Sequence, residues 1–403
     1  MASLPAQREA RFAASAEHWP RPQPASAEGL RIALFSGNYN CVRDGANRAL
    51  NRLVAHLLDR GAAVRVYSPT VKAPAFAPAG DLVSVPSVRI PGRSEYRVAI
   101  GLPAALRADV RAFAPTHVHV SCPDLLGTRA QALARSLGAP VVASMHTRFE
   151  AYPSFYRLDF LTPAVRRRLR AFYSGSDLIL APNPPMADAL RELGMDGERL
   201  RIWGRGVDRD LFSPARRSEA WRLAQGFGQE DVVILFFGRL VHEKGLDTFA
   251  AVLGTLAERG RRVRPLVVGD GPARARFEAR LPGACFTGHL EGEALGRAVA
   301  SADILVNPST TEAFGNVNLE AMAAGLAVVS ADVGSAQALI EDKRSGLLVP
   351  PEDASAYADA VEALIESPRR RRALALAALA VSATYNWADI LDSVIFAYQS
   401  LAF

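Results

Sequence analysis

Short apolar runs alternate along this chain with longer segments whose apolar residues recur at helical spacing, and no other feature constrains the fold as tightly. The run RIALFS (31–36) leads into NRALNRLVAHLLDRG (47–61), where Gly61 reads as a helix C-cap. AVRVYS (63–68), THVHVS (116–121), PVVASM (140–145), DLILAP (177–182) and LRIW (200–203) extend the series, with the helical RAQALARSLG between THVHVS and PVVASM. Alternation of this kind predicts a parallel sheet covered by helices on both faces.

A second series begins after the polar stretch SPARRSEAWR (213–222). It runs through DVVILFFG (231–238), RPLVVGDG (264–271), ACFTG (284–288), DILVNPS (303–309), LAVVSA (326–331) and GLLVPP (346–351), again with helices between. The fold class is therefore α/β: two doubly wound, Rossmann-like units joined near residues 206–220, repeating an architecture but no residue pattern. The expected divisions are a flexible tail over 1–28, a first unit over 29–206, a second over 207–384, and a last segment over 385–403 carrying a helical apolar stripe. Doubly wound sheets bind ligands beyond the carboxyl ends of their strands. Two such sheets facing each other would make a cleft, with its chemistry just after the strands.

Composition narrows the ligands. A formal net charge of +6 favours anionic partners, such as phosphorylated ligands or an acidic membrane. Among the 47 Lys and Arg residues only three are lysines, Lys72, Lys244 and Lys343, which singles each of them out. Cys41, Cys122 and Cys285 are too scattered for a metal site and are expected as buried, reduced thiols in a reducing cytoplasm. No apolar run is expected to reach the roughly 20 residues that span a bilayer. The N-terminus lacks the apolar block of a signal peptide.

The strongest chemical signal is STTEAFGNVNLEAMAAG (309–325). Gly315 and Asn316 fit the start of a helix, which offers unpaired N–H groups and a positive dipole end to a phosphate. Glu312 falls in the loop before it and Glu320 about one turn inside. Two carboxylates flanking a phosphate can accept hydrogen bonds from the hydroxyls of a sugar and of a ribose. An ordinary capped helix with Glu in its early turns is the plain alternative. The second signal is FFGRLVHEKGLDTF (236–249), where Arg239 and Lys244 lie just past a strand. Arg grips phosphate oxygens bidentately and Lys acts as a point charge, so the two could clamp a diphosphate and stabilise it as a leaving group.

Taken together, the GRLVHEKG loop and the Glu-x7-Glu loop resemble the retaining glycosyltransferases of family 4. The fold of that family, GT-B, sets two Rossmann-like domains across a cleft, with the last helix crossing back to the first domain. RGVDRDLF (205–212), HTRFEAY (146–152), GDG (269–271) and FTGHL (286–290) fall where the family has comparable motifs, so the resemblance covers nearly everything from residue 30 onward. The forms TEAFGNVNLEAMAAG and HTRFEAYPSFYRL are most similar to the branch that holds GDP-mannose-dependent α-mannosyltransferases and sulfoquinovosyl-lipid synthases. The resemblance implies that Arg239 and Lys244 hold the donor diphosphate and that Glu312 binds donor-sugar hydroxyls. It implies that Phe314, Gly315, Asn316 and Val317 meet the sugar and phosphates, that Glu320 binds the ribose, and that His146 lies beside the reaction centre. Gly45, in VRDGANRAL, takes the place of a loop glycine that closes over the phosphates. Upstream the chain departs: SGNYNCVRDG (36–45) replaces the Pro- or Gly-rich run of many relatives, which bears on acceptor choice.

The remaining patterns are weaker. DRD (208–210) has the form of a metal signature but reads as a surface turn, so no metal and no cofactor beyond the donor is expected. GDGPAR (269–274) and GRGVDR (204–209) lack the third glycine of a dinucleotide fingerprint, which excludes a dehydrogenase. LTPAVRRRLRAFY (161–173) sets an arginine run beside Leu161, Val165, Leu169 and Phe172. It fits a helix lying on an anionic membrane or a surface helix with a charged face, and the lipid-modifying relatives favour the first. The expected activity is hexosyl transfer from GDP-mannose or a UDP-hexose to a lipid or lipid-linked acceptor. The expected place is the cytoplasm, at the inner face of the membrane, with no nucleic-acid partner. A nucleotide-sugar epimerase of the same fold is disfavoured because such enzymes lack the Glu-x7-Glu pattern. A non-catalytic binding protein is disfavoured by the joint presence of Arg239, Lys244, Glu312, Glu320 and His146.

Overall fold

The computed structural model describes residues 25–42, 44–90, 93–151, 153 and 158–401. It divides into two compact units, Met1–Gly204 with Ala388–Phe403, and Arg205–Trp387. The boundaries between the units fall at 204/205 and 387/388, against the expected 206/207 and 384/385. Residues 1–24 of the expected tail lie outside the described residues. Residues 25–28 do not behave as a tail: Ala25 and Ala27 are buried, Ala27 N–H donates to Arg60 O, and the Gln399 side chain donates to Ser26 O.

The first unit contains β1 (Arg31–Phe35), β2 (Ala63–Ser68), β3 (Asp81–Ser84), β4 (Ser87–Ile90), β5 (Arg93–Ala99), β6 (His117–Val120), β7 (Val141–Ser144), β8 (Leu178–Ala181) and β9 (Leu200–Ile202). Seven of them form a parallel sheet in the order β3-β2-β1-β6-β7-β8-β9. Every residue of β6, β7 and β8 is buried, as expected of strands covered on both faces. The apolar pattern did not reveal β3, β4 and β5. β3 is a half-exposed sheet edge, and β4 and β5 form a separate antiparallel hairpin, so little apolar burial marks them.

The second unit contains β10 (Val233–Phe237), β11 (Arg264–Val268), β12 (Cys285–Gly288), β13 (Ile304–Asn307), β14 (Ala327–Ala331) and β15 (Leu347–Val349), all parallel, in the order β12-β11-β10-β13-β14-β15. Alternate residues feed two cores. Val233 and Leu235 join Leu266, Val268, Leu305 and Val328 on one side. Ile234 and Phe236 join Val267, Ile304 and Val306 on the other, where the rings of Phe236, Phe249 and Phe277 meet edge to face. Each such buried side chain contributes roughly 1.5–3 kcal/mol, which fixes the strand ends that carry the loops described below.

Contrary to the sequence expectation, Pro368–Gln399 has the length and apolar composition of a membrane-crossing helix. The chain breaks it into Pro368–Ser382 and Trp387–Gln399, and the second of these returns to the first unit. Buried Asp392 holds it there, taking His56 Nε2 at 2.6 Å and Arg60 at 3.2 Å. The Tyr398 carbonyl oxygen lies 3.0 Å from His117 Nε2. All three cysteines are free thiols, and burial pushes each of them up. Cys41 is buried, while Cys122 and Cys285 are half-buried, which corrects that expectation in part.

Candidate active site

In the second unit the strand order reverses between β10 and β13. Loops leaving the carboxyl ends of such a pair diverge around a crevice, the usual ligand site of an open α/β sheet. Arg239 and Lys244 leave from β10, and Glu312 to Glu320 leave from β13.

Gly238 and Arg239 follow β10, and a Cβ on Gly238 would lie 3.8 Å from Val317 Cγ2, so this loop flanks the helix Asn316–Ala323. Buried Leu240 anchors the loop, its N–H donating to Asp270 O at 2.9 Å. The chain then makes a single turn, His242–Lys244, closed by Gly245 in the left-handed region at φ 73°. A Cβ on Gly245 would lie 2.8 Å from Pro308 Cγ, so glycine lets the loop after β10 press against the loop after β13. The outcome is an ion pair: Lys244 Nζ lies 2.5 Å from Glu312 Oε1. Burial alone would raise the Glu312 pKa, but the Lys244 ammonium, helped by the nearby Ser309 hydroxyl, outweighs it and holds the carboxyl below its ordinary range. Ser309 was not singled out from the sequence. Its buried Oγ has no aligned hydrogen-bond partner among the described residues.

The helix Asn316–Ala323 begins at Gly315, left-handed at φ 93°, with no side-chain cap. Its first-turn N–H groups and dipole end are therefore not neutralised by a cap. The inner face is pinned by Asn318, which accepts from Asn307 Nδ2 at 2.8 Å and donates to Ser330 Oγ at 3.0 Å. Phe314 is buried and meets Tyr385 edge to face. Val317 and Glu320 are half-buried, Glu320 on the helix itself.

His146 and Gly45 belong to the first unit. His146 follows β7, with Nε2 2.8 Å from Ser144 Oγ and its ring edge-on to Trp203. Gly45 opens the helix Gly45–Asp59, and the Asp44 side chain caps it by accepting from Asn47 N at 2.8 Å. A carboxylate thus caps this helix start, whereas the start at Asn316 has no side-chain cap. Arg43, Tyr152 and residues 154–157 of the quoted motifs lie outside the described residues. In the DRD segment, Asp208 Oδ1 accepts from Leu211 N at 3.1 Å, as a turn residue does. No cluster of three or more metal-ligating side chains occurs among the described residues.

The expected amphipathic segment forms the helix Thr162–Ser174. Leu169 and Phe172 are buried, and Leu161, Val165 and Leu169 line a cavity of about 410 Å³ together with Cys122 and Phe149. Most of the apolar stripe therefore faces inward, and the exposed apolar residues are Leu158, Phe160 and Leu161 at its N-terminal end.

Residues 43–211 match the family model described as Glycosyltransferase Family 4, and residues 231–367 match Glycosyl transferases group 1. A GDP-mannose-dependent alpha-mannosyltransferase of Mycobacterium tuberculosis is 32% identical over 384 residues, 93% of this chain and 97% of that protein. The Sulfoquinovosyl transferase SQD2 of Arabidopsis thaliana is 29% identical over 366 residues, 89% of this chain and 71% of that protein. Among solved structures, a sucrose-phosphate synthase from Thermosynechococcus elongatus gives a TM-score of 0.76 at 20% identity, covering 92% of this chain and 98% of that one. Anabaena Alr3699/HepE in complex with UDP-glucose gives 0.70 at 21% identity, covering 92% and 100%. The shared fold is GT-B, with two parallel sheets and a C-terminal helix.

Proposed function

The chain belongs to glycosyltransferase family 4, and on that premise we propose that it moves a hexosyl group, with retention, from GDP-mannose or a UDP-hexose to a lipid or lipid-linked acceptor. The observation that carries this reading is the Lys244–Glu312 pair, set at the reversal of strand order beside the uncapped start of Asn316–Ala323.

A nucleoside diphosphate gathers negative charge as its bond to the sugar C1 breaks. Lys244 is held by Glu312 and the backbone N–H groups of Asn316 and Val317 by their helix, so that together with Arg239 they stabilise that charge with little reorganisation. Glu312, kept ionised by Lys244, accepts hydrogen bonds from donor-sugar hydroxyls, and Glu320 does the same for the ribose. The acceptor oxygen bonds to C1 on the face from which the phosphate departs, and its proton passes to the departing phosphate oxygen. Retention then needs no carboxylate nucleophile of the kind retaining glycosidases use. Arg239, Lys244 and the helix N–H groups are the groups assigned to the diphosphate, and no metal is assigned.

Titration calorimetry with GDP, UDP and ADP, all in EDTA, tests this reading. GDP or UDP is expected to bind, and to lose binding in Lys244→Ala. Binding of neither, or binding only after Mg²⁺ or Mn²⁺ is restored, would contradict it. GDP is favoured by the names of the mycobacterial relatives.

The acceptor's surface is assigned to the exposed edge of the first unit. Phe160 is 75% exposed, beside exposed Leu158 and Leu161, and Arg167, Arg168 and Arg170 are exposed on the adjoining helix. Apolar tips flanked by arginines suit a cytoplasmic protein resting on an anionic membrane. The protein is expected to co-sediment with vesicles containing an anionic lipid but not with purely zwitterionic ones, and Phe160→Asp should weaken this. Equal recovery in the supernatant with both vesicle types would remove the membrane from the reading.

A further inference from the structure

Behind His146 three buried side chains form one hydrogen-bonded line. Tyr398 Oη lies 2.6 Å from His119 Nδ1, His119 Nε2 lies 2.8 Å from Ser144 Oγ, and Ser144 Oγ lies 2.8 Å from His146 Nε2. All belong to the first unit: Tyr398 on the returning helix Trp387–Gln399, His119 on β6, Ser144 at the end of β7. Tyr398 and His119 have no exposure and Ser144 has 1%, so each proton must be matched within the line.

The protons can be counted. Burial drives the His119 pKa down to about 3, so the ring is neutral and carries one N–H and one lone pair. Among the described residues the Tyr398 hydroxyl has one partner, His119 Nδ1. If Nδ1 held the ring proton, the tyrosine O–H would be buried without an acceptor, which is unfavourable. The tyrosine therefore donates to Nδ1, and the ring proton lies on Nε2. His119 Nε2–H donates to Ser144 Oγ, and the Ser144 O–H is left to donate to His146 Nε2. Trp203 stands edge-on to both imidazoles, at centroid separations of 5.4 Å for His146 and 6.2 Å for His119, and fixes their planes.

We propose that Tyr398, His119 and Ser144 are positioning residues that lock His146 as its Nδ1–H tautomer, so that its side chain acts as a hydrogen-bond donor and not as a base. The proposal rests on the reading that His146 lies at the reaction centre. It also gives the returning helix a role in the chemistry, because that helix brings in the tyrosine that sets the direction of the line.

The test is nitrogen NMR of the full chain with ¹⁵N-labelled histidine. There are seven histidines, few enough to assign His146 from the signal missing in His146→Asn. In the wild type, His146 should show a protonated Nδ1 and a bare Nε2. Tyr398→Phe and Ser144→Ala should each give a mixture of tautomers, with kcat for transfer down about tenfold and donor KM unchanged. Ser144→Thr, which keeps the hydroxyl, should restore the single tautomer. A wild-type Nε2–H tautomer, or an unchanged His146 spectrum in both variants, would overturn the proposal. A wild-type Nδ1–H signal together with full transfer activity in His146→Asn would uphold the relay and overturn instead the catalytic placement of His146.

Discussion

Replacing Lys244 with alanine is expected to lower sugar transfer by about 100-fold at neutral pH, close to 3 kcal/mol of barrier, while both units stay folded. Two losses add. The ammonium no longer faces the leaving diphosphate, and Glu312 loses the partner that keeps its carboxylate acceptable in a largely buried place. What remains is an anion beside the site where another anion must bind. Adding Glu312→Gln in the Lys244→Ala background should therefore recover part of the nucleotide affinity, although Glu312→Gln alone should impair transfer. The pair also has a pH signature. The Glu312 carboxyl titrates below its ordinary value of 4.5, so the pair's contribution to stability is present above that value and is lost as pH falls through the lower folded value. In Lys244→Ala this acid-side loss should disappear, which thermal unfolding between neutral and acid pH would show. Transfer within about threefold of wild type in Lys244→Ala would remove the pair from the site.

The residues of this pair were legible in the sequence because each sits in the loop that follows an apolar strand run, Lys244 in one rich in glycine and charge. Strand ends are where a doubly wound sheet places its ligands, so position along the chain already implied position in the fold. The line behind His146 was not legible for the opposite reason. His119 sits inside THVHVS, where the buried strand pattern gives no hint that an imidazole is hydrogen-bonded on both sides. Its partner Tyr398 lies 279 residues away, and no local signal announces a pairing across that distance. Ser309 was missed differently: it stands within the segment quoted, but a serine before two threonines looks like any loop. Its burial, with the hydroxyl beside Glu312, emerges only when β13 and its loop are folded. The edge strand β3 and the hairpin of β4 and β5 carry little apolar burial, so periodicity had nothing to register.

Gly269→Ala is expected to be strongly destabilising to the second unit, at about 4 kcal/mol. Gly269 has φ 143°, a region that favours glycine, and its N–H is committed to Gly288 O at 2.9 Å. A Cβ there would lie 1.9 Å from Gly238 O, a backbone atom that cannot swing aside as a side chain can. Gly238 is itself at φ 142°, with its N–H bonded to Val268 O, so the turns after β10 and β11 touch backbone to backbone. Relief requires the two turns to separate, and the one that moves carries Arg239. Loss of stability and loss of nucleotide binding should therefore appear together, which a change in a remote core would not produce. Gly254→Ala is the control: this glycine lies inside the helix Leu246–Glu258 with nothing within 4 Å of an added Cβ, so alanine should stabilise by about 0.5–1 kcal/mol. Urea unfolding of the two variants, read alongside GDP and UDP titration, checks the contrast. If Gly269→Ala unfolded at the Gly254→Ala midpoint with nucleotide binding intact, the close approach of the two turns would be ruled out, and with it the account of how Arg239 is held in place.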